Sequence, residues 1–183
     1  MSNSIYLYFV KFFSEENHAD QFLAGKLYAN RLSYFQKLEE KCDDGRSDRH
    51  EAVAAWLQPD ATSITFSGAS YLNISPHDLA APISVSFNFH GNWHVFCLYT
   101  IYVDGFEFVD GEFDLSEEDK QKFEQQLRID DRCVKLGGFA VMVRADRFIE
   151  QVKKAMHEAK RKIIGDLVKY YDPSTFHGNF TLL

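Results

Sequence analysis

Cysteine is scarce in this chain: Cys42, Cys97 and Cys133 are three among 183 residues, an odd number with no CxxC spacing. That scarcity excludes a disulfide framework and a zinc ribbon, and it predicts a reducing compartment and hence a cytoplasmic protein. No stretch approaches the roughly 18 apolar residues that a membrane span requires. Met1 to Val10 lacks the basic start and apolar run of a signal peptide, so neither secretion nor a membrane partner is expected. P-loop, GxGxxG, GxSxG and HExxH patterns are also missing, which removes the best-marked nucleotide, hydrolase and zinc-protease signatures.

What is present is a core-forming composition. Apolar residues make up 45% and charged residues 26%, with 17 Phe and 9 Tyr, so large rings should dominate the interior. The length suits a single domain spanning 1–183 that buries roughly 70% of its unfolded surface. The net charge of −7 makes non-specific nucleic-acid binding an unfavourable reading. Charge is nevertheless uneven: Asp104 to Asp119 holds eight carboxylates and no Lys or Arg, whereas Arg144 to Lys169 holds eight basic residues against four acidic ones.

Ile5 to Phe13 reads as a strand, followed by a helix that Ser14 would cap and Gly25 would end. Ser33 would cap a second helix carrying Tyr34, Phe35 and Leu38 on one face. Asp43 to His50 reads as a loop, and Glu51 to Leu57 as a helical turn stopped by Pro59. Ser116 would cap a helix running to about Leu127, and Gly137-Gly138 leads into a strand, Phe139 to Val143. A longer amphipathic helix is expected from Ala145 to Lys162, with Phe148, Val152, Ala155, Met156, Ala159 and Ile163 in one stripe, and then a strand, Leu167 to Tyr171. Strands mixed irregularly with helices predict an α+β fold: a mixed or antiparallel sheet, a central β-hairpin at about 83–101, and roughly three to five helices packed on it.

That hairpin rests on Gly91-Asn92, a dipeptide suited to a two-residue type II′ turn between Ile83–Phe89 and Val95–Ile101. Setting His90 opposite Trp93 pairs Phe89 with His94, Phe87 with Phe96 and Val85 with Leu98. Phe87, Phe89, Phe96 and Leu98 would then be buried together, with Cys97 on the other face. The same register puts the rings of His90 and His94 on opposite faces, which argues against a metal site there. Cys97, between Phe96 and Leu98 with no cationic neighbour in sequence, reads as a small core residue rather than a nucleophile.

The segment Gly45 to Glu51 gathers two guanidinium groups, an imidazole and two carboxylates. Arg46 or Arg49 could hold a phosphate, and Asp48 or Glu51 could accept a ribose hydroxyl, because guanidinium forks match phosphate oxygens. The alternative is a solvated loop with local ion pairs. Gly137-Gly138 is too short to count as a phosphate cradle, the acidic run lacks the ligand order of a calcium loop, and Lys153 to Lys162 reads as the wet side of a helix.

Phe22, Gly25, Leu27-Tyr28, Leu32, Tyr34-Phe35 and Leu38-Glu39, followed by Arg46, Asp48 and Glu51, form a pattern that resembles a family of bacterial and prophage proteins. The family pattern is F-x-x-G-x-L-Y, then a Tyr-Phe helix with Leu-Glu, then R-G-D-x-x-E-G. Phe96-Cys97-Leu98-Tyr99, the helix near Phe148 and Val168 to Asp172 are similar to its later landmarks. Ser47 and Ala52 stand where the pattern has glycines, and an acidic Y-x-x-Q-x-E-x-R segment has no counterpart, so the resemblance implies a shortened form. The family is associated with phage defence by abortive infection, and its layout is distantly similar to ADP-ribosyltransferase folds. The resemblance therefore implies a nucleotide-handling effector with NAD as substrate, Tyr34, Arg46 and Asp48 binding the ligand, and Glu51 as the catalytic carboxylate. The competing class is a non-catalytic module of the inhibitor or antitoxin type that binds a protein partner.

Overall fold

Alternation along Ile5–Phe13 makes a nine-residue strand, β1, whose Val10 is almost wholly buried. In the computed structural model, which describes residues 4–39, 53–66, 68, 73–110, 112–113 and 115–180, it is followed by α1 (Glu16–Leu23), β2 (Asn30–Arg31) and α2 (Leu32–Glu39). Next come β3 (Val53–Leu57), β4 (Ile64–Thr65), β5 (Asn73–Ile74), β6 (Ile83–Ser86), β7 (His94–Val95) and β8 (Tyr99–Val103). The remaining elements are β9 (Phe108–Val109), β10 (Glu112–Phe113), α3 (Glu117–Leu127), β11 (Phe139–Arg144), α4 (Ala145–Glu158) and β12 (Gly178–Asn179). Helices mixed with exclusively antiparallel strand pairs among the described residues make this an α+β fold. None of its described helices is long and apolar enough to cross a membrane.

The chain forms two compact units, Met1–Tyr28 with Phe96–Ile163, and Ala29–Val95 with Ile164–Leu183. In the first, β1 is the central strand of the order β11-β1-β8, with Val10 opposite Met142 on one side and Tyr99 on the other. Helices α1 and α4 supply the cover. Phe22 is buried between Phe13, Phe96 and Phe148, at ring separations of 5.6, 6.0 and 6.0 Å, and Ala19 and Val141 complete the cluster. Ser116 caps α3 as expected, its hydroxyl accepting from the Asp119 N–H. Phe123 of that helix meets Phe106 and Phe113 edge-on.

The ends of α1 depart from the expected cap and agree with the expected stop. Glu15, not Ser14, occupies the cap position and makes no side-chain cap. Gly25 takes φ +81°, and the Gly25 and Lys26 N–H groups donate to the Phe22 and Gln21 carbonyls, which is a Schellman ending. Helix α4 stops four residues short of Lys162: Lys160 takes φ +53°, its N–H and that of Arg161 return to the His157 and Met156 carbonyls, and Ile163 is left exposed.

In the second unit β3 is central, in the order β12-β3-β6. The expected helical turn over Glu51 to Leu57 is therefore corrected from Val53 onward. Val53 and Ala55 are buried, and the strand's backbone groups are taken by Val85, Ser84 and Ile83 on one side and by Gly178 and Asn179 on the other. The C-terminal stretch is held there by side chains as well. Trp56 Nε1–H donates to the Pro173 carbonyl at 2.9 Å, and Gln58 Nε2 donates to the Pro173 and Phe176 carbonyls at 2.8 and 3.0 Å. Leu167 to Tyr171 is irregular rather than a strand, with Val168 and Tyr170 exposed. Ser33 lies inside α2 rather than before it, since the helix begins at Leu32.

The central hairpin does not form. Its strands exist, but β6 pairs with β3, β7 with β2 and β8 with β1. Gly91 does not adopt the positive φ that a type II′ turn demands of its first residue. Instead, the chain from Phe87 to Trp93 winds through short-turn hydrogen bonds: His90 N–H to Phe87 C=O, Asn92 N–H to Phe89 C=O, and Trp93 N–H to His90 C=O. Phe87 and Phe89 are consequently exposed at 49% and 58%, while Phe96 belongs to the first unit's aromatic cluster.

Candidate ligand site

Three-residue winding brings every third side chain onto one side of the backbone. Phe87, His90 and Trp93 are spaced that way, and their rings follow one another at 5.3 and 4.6 Å. Phe89 closes the group, stacked on Phe87 at 5.4 Å and edge-on to His90 at 4.3 Å. His90 is only 3% exposed, and its imidazole Nδ1 has no hydrogen-bond partner among the described residues. Around it the carbocyclic rings face solvent, Trp93 at 43% and the two phenylalanines more so. The result is an exposed aromatic corner packed against a buried imidazole.

Helix α2 is built against this corner. The Leu32 N–H donates to the Trp93 carbonyl at 2.9 Å, and the pairing of β2 with β7 sets Asn30 opposite Val95 and Arg31 opposite His94. A Cβ placed on Gly91 would meet the Ser33 Cβ at 3.4 Å, so glycine allows the turn to approach the helix closely. Tyr34, the next residue, is exposed at 48% and meets Phe35 edge-on at 5.6 Å. Arg46, Asp48 and Glu51 lie outside the described residues, in the stretch that runs from α2 to β3. Strand β3 in turn pairs with β6, whose next residue is Phe87.

The other candidate chemistry falls into structural roles. Cys97 is exposed rather than buried in a strand, and it has a cationic neighbour that linear sequence does not reveal. Lys11 Nζ donates to the Cys97 carbonyl at 2.8 Å and sits 4.9 Å above the Phe96 ring. Partial burial holds the Lys11 ammonium below the usual lysine range, an effect that the adjacent Cys97 opposes. Gly137 adopts φ +153° against the Phe13 backbone, which is a packing role for the first glycine of the pair. Lys153 and Lys154 lie on the exposed side of α4. Between Tyr99 and Asp131 an open groove contains Asp130, whose carboxyl is held down to about 2 by hydrogen bonds from the Arg132 side chain and backbone N–H.

The resemblance named Tyr34, on the helix that packs against this turn, and sequence reasoning assigned no ligand role to the turn itself. Phe87, His90 and Trp93 were available as an i, i+3, i+6 series, the signal of three-residue winding. No protein-family model matches the chain, and no curated protein or solved structure matches it.

Proposed function

We propose that the chain is a cytoplasmic, defence-associated domain that binds a nucleotide or nucleotide-sugar and acts as an ADP-ribosyltransferase-type effector with NAD as substrate. The observation that carries this reading is the solvent-facing aromatic corner of Phe87, Phe89 and Trp93, packed on the helix that presents Tyr34. Exposed rings suit a ligand with flat faces, because every base offers a π-surface to stack on. In this reading Arg46 holds the pyrophosphate, Asp48 accepts a ribose hydroxyl, and Glu51 stabilises the positive charge that develops on the ribose as nicotinamide departs.

A thermal-shift series with NAD, ATP, GTP and ADP-ribose tests it. A ligand at 100 times its dissociation constant stabilises by about 2.7 kcal/mol, or roughly 5–10 °C in a chain of this size. The expected outcome is such a shift with NAD or one of the nucleotides. Absence of any shift favours the second reading, a protein-interaction module of the inhibitor or antitoxin type. That reading has its own support in the irregular stretch after α4, where Ile164, Val168 and Tyr170 expose 68%, 69% and 90% of their surface.

A further inference from the structure

A buried polar atom without a partner loses its water and gains nothing in return, and such atoms are few in native proteins. Among the described residues His90 Nδ1 is one. The Phe89 ring centroid lies 4.3 Å from that of the imidazole, and Phe89 is itself 58% exposed, so the buried imidazole packs directly against a ring that solvent reaches. The same corner offers Trp93 and Phe87 as stacking surfaces.

Flat faces around a single hidden hydrogen-bonding atom define the ligand chemistry. An aliphatic side chain would cover the rings and leave Nδ1 unsatisfied. A purine with an exocyclic amine satisfies both, since its faces stack and its edge carries both N–H donors and ring-nitrogen acceptors, matching the imidazole in either tautomer. The chain's net charge of −7 favours a mononucleotide over a polyanionic strand.

From this geometry we infer that the Phe87–Trp93 turn is a base subsite, in which Phe89 swings aside from His90 and an adenine-type ring stacks between Phe89 and Trp93 and gives His90 the hydrogen bond it lacks. This assignment deepens the nucleotide-binding reading above and rests on it. The ring is held in the second unit alone, by residues of one turn, so it requires nothing of the stretch from α2 to β3.

Trp93 reports directly on the subsite. The chain has two tryptophans, so a Trp56→Phe background leaves Trp93 as the sole indole emitter. In that background AMP should quench the emission saturably, and ribose 5-phosphate, which has no base, should not. Phe89→Ala removes an exposed ring and should weaken AMP about tenfold or more. His90→Phe keeps an aromatic ring in place of the imidazole but removes the nitrogens. It should weaken AMP several-fold while the melting temperature stays level or rises, a combination that a purely structural histidine would not give. AMP binding that leaves Trp93 emission unchanged, or an unchanged AMP affinity in either variant, overturns the base subsite while nucleotide binding stands. Failure of both AMP and NAD to bind the parent chain by calorimetry overturns the nucleotide reading and the subsite together.

Discussion

The two units bury their aromatic rings to very different degrees. Around Phe22 of α1 in the first, three phenylalanines converge, from β1, from α4 and from the segment before β8. In the second, Phe87 and Phe89 stack on each other at 5.4 Å and remain about half exposed. The contrast follows from what each sheet has to cover it. Helix α4 is long enough to lay Phe148, Val152 and Met156 along one side of the first sheet. The described part of the second unit has the eight-residue α2, short turns and strands of five residues or fewer. Rings that a stable core would hide are thus left where a ligand or partner can reach them.

Paired truncations test that contrast most severely. Phe22→Ala should cost about 3–5 kcal/mol, because it opens a cavity between three other rings. Phe89→Ala should fall within about 1 kcal/mol of the parent, since most of the ring already meets water. Urea denaturation at unchanged m value is the measurement. Equal losses in the two variants would mean that the aromatic corner is core after all, and the case for a binding surface would fail with it.

A second pair sits within the first unit. Gly137 combines φ +153° with a backbone so close that an added Cβ would stand 2.2 Å from the Phe13 carbonyl oxygen. Gly138 next to it has nothing within 4 Å. Gly137→Ala should therefore destabilise on the order of 3 kcal/mol, through strain at the backbone and overpacking against β1. Gly138→Ala should be close to neutral. Similar denaturation midpoints for the two would contradict the close approach of this turn to β1.

These effects also trace what could be read from the residues alone. β1, β11 and α3 were legible because each is set by local signals: a nine-residue alternation, a glycine pair before a β-branched run, and a serine cap three residues ahead of Asp119. The identity of β3 was not, because its partners β6 and β12 come from far along the chain, and Val53 to Leu57 is too short for periodicity to decide. The turn at Phe87 to Trp93 satisfies two periods at once. Phe87 and Phe89 alternate as a strand would, while Phe87, His90 and Trp93 recur every three residues, and only β2 and β3, the actual partners of β7 and β6, decide between them. Tyr34 was named by resemblance alone, whereas the packing of its helix on the aromatic corner depends on the Leu32 to Trp93 hydrogen bond, which no sequence pattern reports.

The smallest predicted effect compares two helix ends within the first unit. Helices α1 and α4 finish with the same Schellman hydrogen bonds, but the left-handed position is Gly25 in one and Lys160 in the other. Glycine announced the first stop in the sequence; lysine concealed the second, which is why α4 was expected to run on to Lys162. A non-glycine residue in that conformation carries a Cβ close to the following carbonyl, at a cost of roughly 1–2 kcal/mol. Replacing it by glycine removes that strain but enlarges the conformational freedom of the unfolded chain, which returns part of the gain. Lys160→Gly should therefore stabilise by about 0.5–1 kcal/mol, a rise of roughly 1–4 °C in melting temperature. Lys160→Ala separates this mechanism from loss of charge, since alanine keeps the Cβ and should give no rise. If alanine stabilises as much as glycine, repulsion among Lys160, Arg161 and Lys162 is the cause, and the left-handed ending of α4 is unstrained.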